Sequence, residues 1–456
     1  MQNTILSLID QKNYKAIVDA FAEMNVIDIA GLFQTLYDED LLESERFILL
    51  FRLLPKDAAA DVFAYMDSDM QQLLVTSFTD KELQRVINDL YIDDTVDMIE
   101  DMPANLVSRI IASADRETRE QINTILRYPS DSAGSLMTPE YVALKRDYTV
   151  ARAIELIRKV GVNKETVYTL YVTENRKLIG VLTVLDLLTS DDTELIENIM
   201  DTNVISVNTH EDREIVADTL SKYDFAALPV VDSENRMIGI VTFDDAIDVI
   251  REETTEDFEK MAAVAHSDDS YFKTSVFVHS KNRIMWLLIL MLSATVTGAI
   301  ISRYEAAFAA IPALVSFIPM ITGTGGNCGS QTSTMVIRGM SLGEIRLKDF
   351  FKVLFKEFRI ALLCGFALAA VNAVRLIITY QFNPAVDEYR LAITVSLAIM
   401  ATVIMSKSIA CILPMLAKKL KLDPAIMAAP VITTIVDICS TMLFFSLATI
   451  VFNIRV

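Results

Sequence analysis

A single carboxylate, Asp437, lies within residues 425–453 (AIMAAPVITTIVDICSTMLFFSLATIVFN), a stretch with no other charged side chain. About 20 apolar residues cross a bilayer as a helix, so the stretch is long enough to do so. A charge at bilayer depth costs about 2.5–3.5 kcal/mol on insertion scales, and such residues normally face a bundle interior or a water path. At helical spacing Thr433, Thr434, Asp437, Ser440 and Thr441 fall on one face of this otherwise apolar rod. The arrangement suits an ion pathway; the plainer alternative is a buried acid that pairs with a neighbouring helix.

A second stretch, residues 319–339 (PMITGTGGNCGSQTSTMVIRG), places Gly323, Gly325, Gly326 and Gly329 where a water-soluble helix would be weakened. In a membrane such glycines permit close helix contact, or local unwinding that offers carbonyls to an ion. As a helix, the segment puts Asn327, Gln331 and Thr334 on one face. Lys407 lies inside another apolar run, where it can neutralise an acid such as Asp437 or snorkel to an interface. Asp423 precedes Pro424 in KKLKLDPAIM, an ordinary helix-start signal.

These residues need a membrane domain to hold them. Apolar runs at about 285–301, 307–320 continuing through the glycines, 360–380, 391–416 and 425–453 predict five spans. Arg338, Arg346, Lys348, Lys352, Lys356 and Arg359 follow the second run, and Lys418, Lys419 and Lys421 follow the fourth. That distribution orients the protein with its N-terminal part in the cytosol and its C-terminus outside.

The chain has two chemically distinct parts. Residues 271–456 hold eight acids and 17 bases, which leaves 53 of the 61 acids and 24 of the 41 bases to residues 1–270. So acidic a body repels nucleic acid and attracts cations. MQNTILSLIDQKN lacks the basic start and apolar core of a signal peptide. All four cysteines lie in apolar segments, which gives no disulfide framework.

Residues 1–130 read as amphipathic helices of a loose solenoid. Residues 131–252 hold a repeat: LYVTENRKLIGVLTVLDLL at 170–188 parallels PVVDSENRMIGIVTFDDAI at 229–247, which aligns Gly180 with Gly239 and Asp186 with Asp245. Each copy reads strand, polar turn, strand, helix, and upstream Met137 and Met200 begin matching segments. The pattern resembles a tandem pair of CBS domains, which implies a regulatory module able to bind an adenosine nucleotide such as ATP. Asp244, Asp245, Asp248, Glu252, Glu253, Glu256 and Asp257 then crowd one helix and its successor. Like charges at i,i+3 and i,i+4 destabilise a bare helix, and hard cations relieve them.

TGTGGNCGSQTSTMVIRG, the LDPAI turn and PVITTIVD resemble the MgtE family of magnesium channels, and the whole order of segments agrees. The resemblance implies a multidomain α and α+β membrane protein of the cell membrane: a helical N-terminal domain (1–130), the CBS pair (131–252), a connecting plug helix (253–280) and a five-helix transmembrane domain (281–456). It implies a homodimer with one pore on its two-fold axis and no enzymatic activity. The pore set is Asp437, Ala429, Pro430, Thr433, Thr434, Asn327, Gly325 and Gly326. It implies that Mg2+ closes the pore by bridging Asp93 and Asp97, Glu214, Asp224, Asp245 and Asp248, Glu253, Glu256 and Asp257, and Asp423. The chain departs from the family pattern at Ala429, at Ile438 after the pore acid and at Lys407, positions that bear on selectivity. Two other functions fit the same residues: a divalent-cation carrier for cobalt or coupled to sodium or protons, and a membrane receptor that senses a nucleotide.

Overall fold

The computed structural model describes residues 2–56, 58–265, 267, 271, 272, 274–304, 311–380, 387–427 and 429–453, except the side chains of Glu388 and Ala429. It divides into two compact units, residues 1–251 and 252–456.

The first unit opens with short amphipathic helices, from Gln2–Asp10 to Arg116–Ile125. Their apolar faces meet in an aromatic core, in which Phe33 and Phe47 stand edge to face at 5.1 Å and Phe51 packs on Phe63 and Phe78. The same apolar cluster continues into the second sheet through Val230 and Val241, and into the helix that follows it through Val249.

Two three-stranded sheets follow, β1 (Ala143–Leu144), β2 (Thr169–Glu174) and β3 (Lys177–Thr183), then β4 (Val207–Asn208), β5 (Ala227–Val231) and β6 (Met237–Thr242). In each, the first two strands are parallel and the last two antiparallel. Asn175 and Arg176 both take positive φ (51° and 69°), the geometry of a two-residue primed turn between β2 and β3. The repeat in the sequence has a specific structural purpose. Thr138 pairs with Ile240 and Asp201 with Val181, so the segment that opens each copy docks on a strand of the other. A Cβ on Gly180 would stand 2.5 Å from Met200 Sδ, and one on Gly239 would stand 3.0 Å from Met137 Sδ. Glycine at both positions admits the other copy's methionine.

The acidic run is one continuous helix, Phe243–Met261, not a helix and a separate successor. Five long helices follow among the described residues: Val276–Arg303, Ile318–Ser341, Phe350–Tyr380, Glu388–Lys419 and Ala429–Phe452. We call them the first to fifth membrane helices. All but the second are apolar enough to cross a bilayer on composition alone. The second, diluted by glycine and polar residues, spans about 36 Å at 1.5 Å per residue. The third begins at Phe350, well before the apolar run at 360–380, because Phe351, Leu354, Phe355 and Phe358 extend the helical spacing.

Candidate functional site

The second membrane helix has two unlike faces. Gly325, Gly326 and Gly329 are buried on one of them. A Cβ on Gly325 would lie 2.7 Å from Val436 and 2.8 Å from Thr402, and one on Gly329 would lie 2.7 Å from Ile432 and 2.8 Å from Ser406. Gly326 faces Thr433 at 3.0 Å by the same measure. The helix runs unbroken, and Ser406 Oγ donates to the Gly325 carbonyl at 2.5 Å. The glycines here serve close packing against the fourth and fifth helices. The opposite face carries Asn327, Gln331, Thr334 and Arg338, all exposed. Hydrocarbon does not solvate such groups, so that face needs water or protein beside it.

The polar stripe expected on the fifth helix divides in two. Ser440 and Thr441 are buried, and the buried Thr402 and Thr441 hydroxyls have no hydrogen-bond partner among the described residues. Thr433, Thr434 and Asp437 are only half-buried, as is Pro430. Among the described residues the Asp437 carboxylate takes part in no ion pair; Ser440 Oγ reaches only its backbone carbonyl, at 3.3 Å. Lys407 does not neutralise it. That ammonium pairs instead with Glu357, 3.8 Å away. The side chain of Ala429 lies outside the described part.

In the first unit a group of acids gathers where three segments meet. Asp93 and Asp94 open the helix Ile92–Glu100. Glu140 and Glu165 come from the first sheet domain, where Glu165 N donates to the Glu140 carbonyl at 3.0 Å. Asp245, in the first turn of Phe243–Met261, accepts from Thr242 Oγ1 at 2.5 Å. Burial, then the charges of Asp245 and Asp94, push the Asp93 carboxyl well above its usual range. Burial and the neighbouring Asp245 raise Asp94 to about 6, and the same two causes raise Glu165 to about 8. Asp245 also rises to about 6: burial and its acidic neighbours outweigh its bonds from Thr242. Glu165 Oε2 is buried without a hydrogen-bond partner among the described residues. Among those residues no three His, Cys, Asp or Glu side chains form a finished ion cage. The cluster is a concentration of carboxyl groups whose burial and mutual repulsion favour the protonated form.

Of the acids the sequence singled out, Asp93 and Asp245 meet here, with Asp248 exposed beside Asp245 and bonded to Arg251 at 3.2 Å. Asp97 is exposed on the same helix as Asp93. Glu214 and Asp224 lie exposed at the two ends of Arg213–Tyr223, Asp224 at its left-handed cap (φ 55°). Glu140 and Glu165 escaped the sequence reading because they sit in connections with no periodic signal. Asp94 had a signal, its adjacency to Asp93.

The second unit holds another group. Lys260 Nζ bridges Glu256 Oε1 at 2.9 Å and Asp423 Oδ2 at 2.8 Å. Burial works against this ammonium, but the bonds it donates to Asp423 and Glu256 hold its pKa above the ordinary lysine value. Asp423 also caps the turn that follows it, since its Oδ1 accepts from Ala425 N at 2.8 Å. Burial first, then Asp423, raises the pKa of Asp257, which Lys260 partly offsets; Glu253 and Glu256 add to the rise.

A helical array fused to paired three-stranded sheets, one helix leading on to five long membrane helices and an acid within the last, define a multidomain membrane protein of transport type. The pattern of the divalent cation transporter family covers residues 318–447, that of the MgtE intracellular N domain residues 40–131, and CBS domains residues 133–191 and 196–252. The magnesium transporter MgtE of Thermus thermophilus is 31% identical over 95% of this chain and 94% of its own length. Its namesake from Bacillus subtilis is 32% identical over 96% and 94%. The chain belongs to the MgtE family. A crystal structure of the cytosolic domain of the Mg2+ channel MgtE in complex with ATP, 32% identical, covers 55% of this chain and all of that one with a TM-score of 0.51. The soluble part of a magnesium transporter, 27% identical, superimposes equally well over 55% of this chain and 98% of that one.

Proposed function

We propose that this chain conducts magnesium across the cell membrane and that intracellular magnesium closes it. The observation that carries the reading is the half-buried Asp437, without an ion-pair partner among the described residues, on a fifth membrane helix packed against a second helix whose polar face is left exposed. One protomer leaves that face uncovered, which supports a homodimer that encloses Asn327, Pro430, Thr433, Thr434 and Asp437 around a water path. Ala429 opens the fifth helix at one end of that path, and the buried Gly325 and Gly326 bring the two helices together. Magnesium holds its water tightly and takes few carboxylates, so a ring of two Asp437 side chains suits a hydrated ion.

The acids of the N-terminal unit support the sensing half of the proposal. Asp93, Asp97, Asp245 and Asp248, with Glu214 and Asp224, carry charge that a divalent cation would neutralise, and Glu253, Glu256, Asp257 and Asp423 do the same beside the membrane. Binding favours whichever arrangement gathers them, by mass action. The ATP complex of the related cytosolic domain supports a nucleotide at the CBS pair. In this reading domains 1–130, 131–252, 253–280 and 281–456 sense, regulate, couple and conduct, without enzymatic chemistry, and the C-terminus lies outside.

Uptake into liposomes tests the path. Asp437→Ala should abolish magnesium flux, and unchanged uptake ends the assignment. Uptake of cobalt or calcium, or dependence on a proton or sodium gradient, would favour a carrier of other selectivity. Neutralisation of Glu253, Glu256 and Asp257 should leave flux open at high internal magnesium; normal closure sinks the coupling site.

A further inference from the structure

The third and fourth membrane helices bury an ion pair that the proposed path does not use. Lys407 Nζ lies 3.8 Å from Glu357 Oε2, with side chains 7% and 13% exposed. Lys407 donates to Thr332 Oγ1 at 2.9 Å, and Thr332 in turn donates to Glu357 Oε2 at 3.1 Å. The hydroxyl has one proton to give and lone pairs to accept with, so the order ammonium, hydroxyl, carboxylate uses each group once. Thr332 belongs to the second membrane helix and is buried, whereas its neighbours Gln331 and Thr334 are on the exposed polar face.

A buried pair of this kind is weak evidence for stability, because well-packed apolar residues often do as well or better. Its placement suggests a different task. Removal of either partner would leave a full charge within about one helix diameter, 10 Å, of the polar face. In a site of low effective dielectric, a unit charge at that distance acts appreciably on a divalent ion.

We propose that Lys407 and Glu357, joined through Thr332, are positioning and specificity residues for cation transport: they fix the rotation of the second membrane helix and back its polar face with no net charge. The inference rests on the reading of that face as a wall of the ion path.

Magnesium uptake into liposomes, measured against concentration and normalised to protein that is monodisperse on size exclusion, tests it. Glu357→Gln leaves the lysine uncompensated and should raise the apparent KM about tenfold; Lys407→Met leaves the carboxylate and should lower it by a similar factor. The double variant should return to within about twofold of the parent, since the two effects belong to one coupled pair. A merely structural pair would reduce the yield of both single variants without an opposite displacement of KM. Shifts in the same direction, or an unchanged KM, overturn the proposal. Should a single variant not fold, the reversed pair Lys407→Glu with Glu357→Lys decides: the parental KM is expected, and a folded reversed pair with a KM displaced several-fold overturns the assignment. Loss of divalent uptake by the parent itself would instead refute the ion-path reading.

Discussion

The two units treat buried charge in opposite ways. In the membrane helices Lys407 and Glu357 meet each other, and a hydroxyl joins them. In the N-terminal unit Asp93, Asp94, Glu140, Glu165 and Asp245 crowd together, and their carboxyl pKa values rise. A bilayer core offers little water and few ions, so a charge walled off from any water path there needs a partner on the chain itself. A domain bathed in solvent can leave its charge open to whatever cation arrives. The difference separates a fixed element from a responsive one.

Four variants or conditions would break or sharpen that contrast. The largest effect should follow Lys407→Met, where the orphaned Glu357 costs about 3–5 kcal/mol by the usual penalty for half a buried pair. Thermal unfolding in detergent should show a large drop in Tm, which Glu357→Gln in the same chain largely restores. An unchanged Tm would mean that the pair holds nothing.

Glu165→Gln should act with the opposite sign. Above a pH of about 8, where Glu165 is ionised, removal of its charge from the acid cluster should raise Tm by a few degrees in divalent-free buffer. A fall would mean that Glu165 has a partner worth more than the repulsion it causes.

The third test is pH. Folded Asp94 and Asp245 titrate near 6 and Glu165 near 8, all above their ordinary carboxyl values. The folded state therefore binds these protons more tightly, and the stability these three groups contribute is fully present below the ordinary carboxyl range and is lost as pH rises towards 8. Amide protection of the helix Ile92–Glu100, taken relative to the intrinsic exchange rate at each pH, should fall between pH about 5 and about 8 in about 1 mM chelator, and magnesium should flatten the change. No difference between chelator and magnesium would remove the cluster from the sensing scheme.

The smallest effect compares equivalent positions of the repeat. Asp186 completes a capping box with Thr183, accepting at 2.7 Å from both its backbone N–H and its hydroxyl, whereas Asp245 accepts from the same groups of Thr242 at 3.4 Å and 2.5 Å. Asp186→Ala should cost about 1 kcal/mol, the ordinary worth of a cap. Asp245→Ala should cost less, because relief of crowding offsets the lost cap. Equal costs would show that the crowding at Asp245 has no energetic weight.

The sequence revealed most where it repeats itself. Gly180 and Gly239, Asp186 and Asp245, and the two methionines announced paired domains, and the structure gives each pair one shared task. Asp437 was legible because a lone acid in an apolar run has few explanations. Contacts between distant segments were harder to foresee. Glu357, flanked by Lys356 and Arg359, read as part of a basic connection, although helical spacing back to Phe350 places it inside the third membrane helix. No local pattern therefore joins it to Lys407, for which the sequence offers only an acid such as Asp437 or an interface to snorkel to. The hydroxyls of the fifth helix looked like one stripe because periodicity reports a face and not what covers it. Glu140 and Glu165 carried no pattern, and only the fold brings them to Asp93.

The reciprocal docking of Met137 and Met200 has a consequence for synthesis. Ribosomes release the chain from its N-terminus, and domains usually fold as they emerge. Here the first sheet domain leaves the exit tunnel while Met137 still lacks the strand that contains Gly239. Its apolar edge stays open until β6 has been made. A nascent chain paused between the two copies is therefore a natural target for chaperones, and the pair matures as one object or not at all.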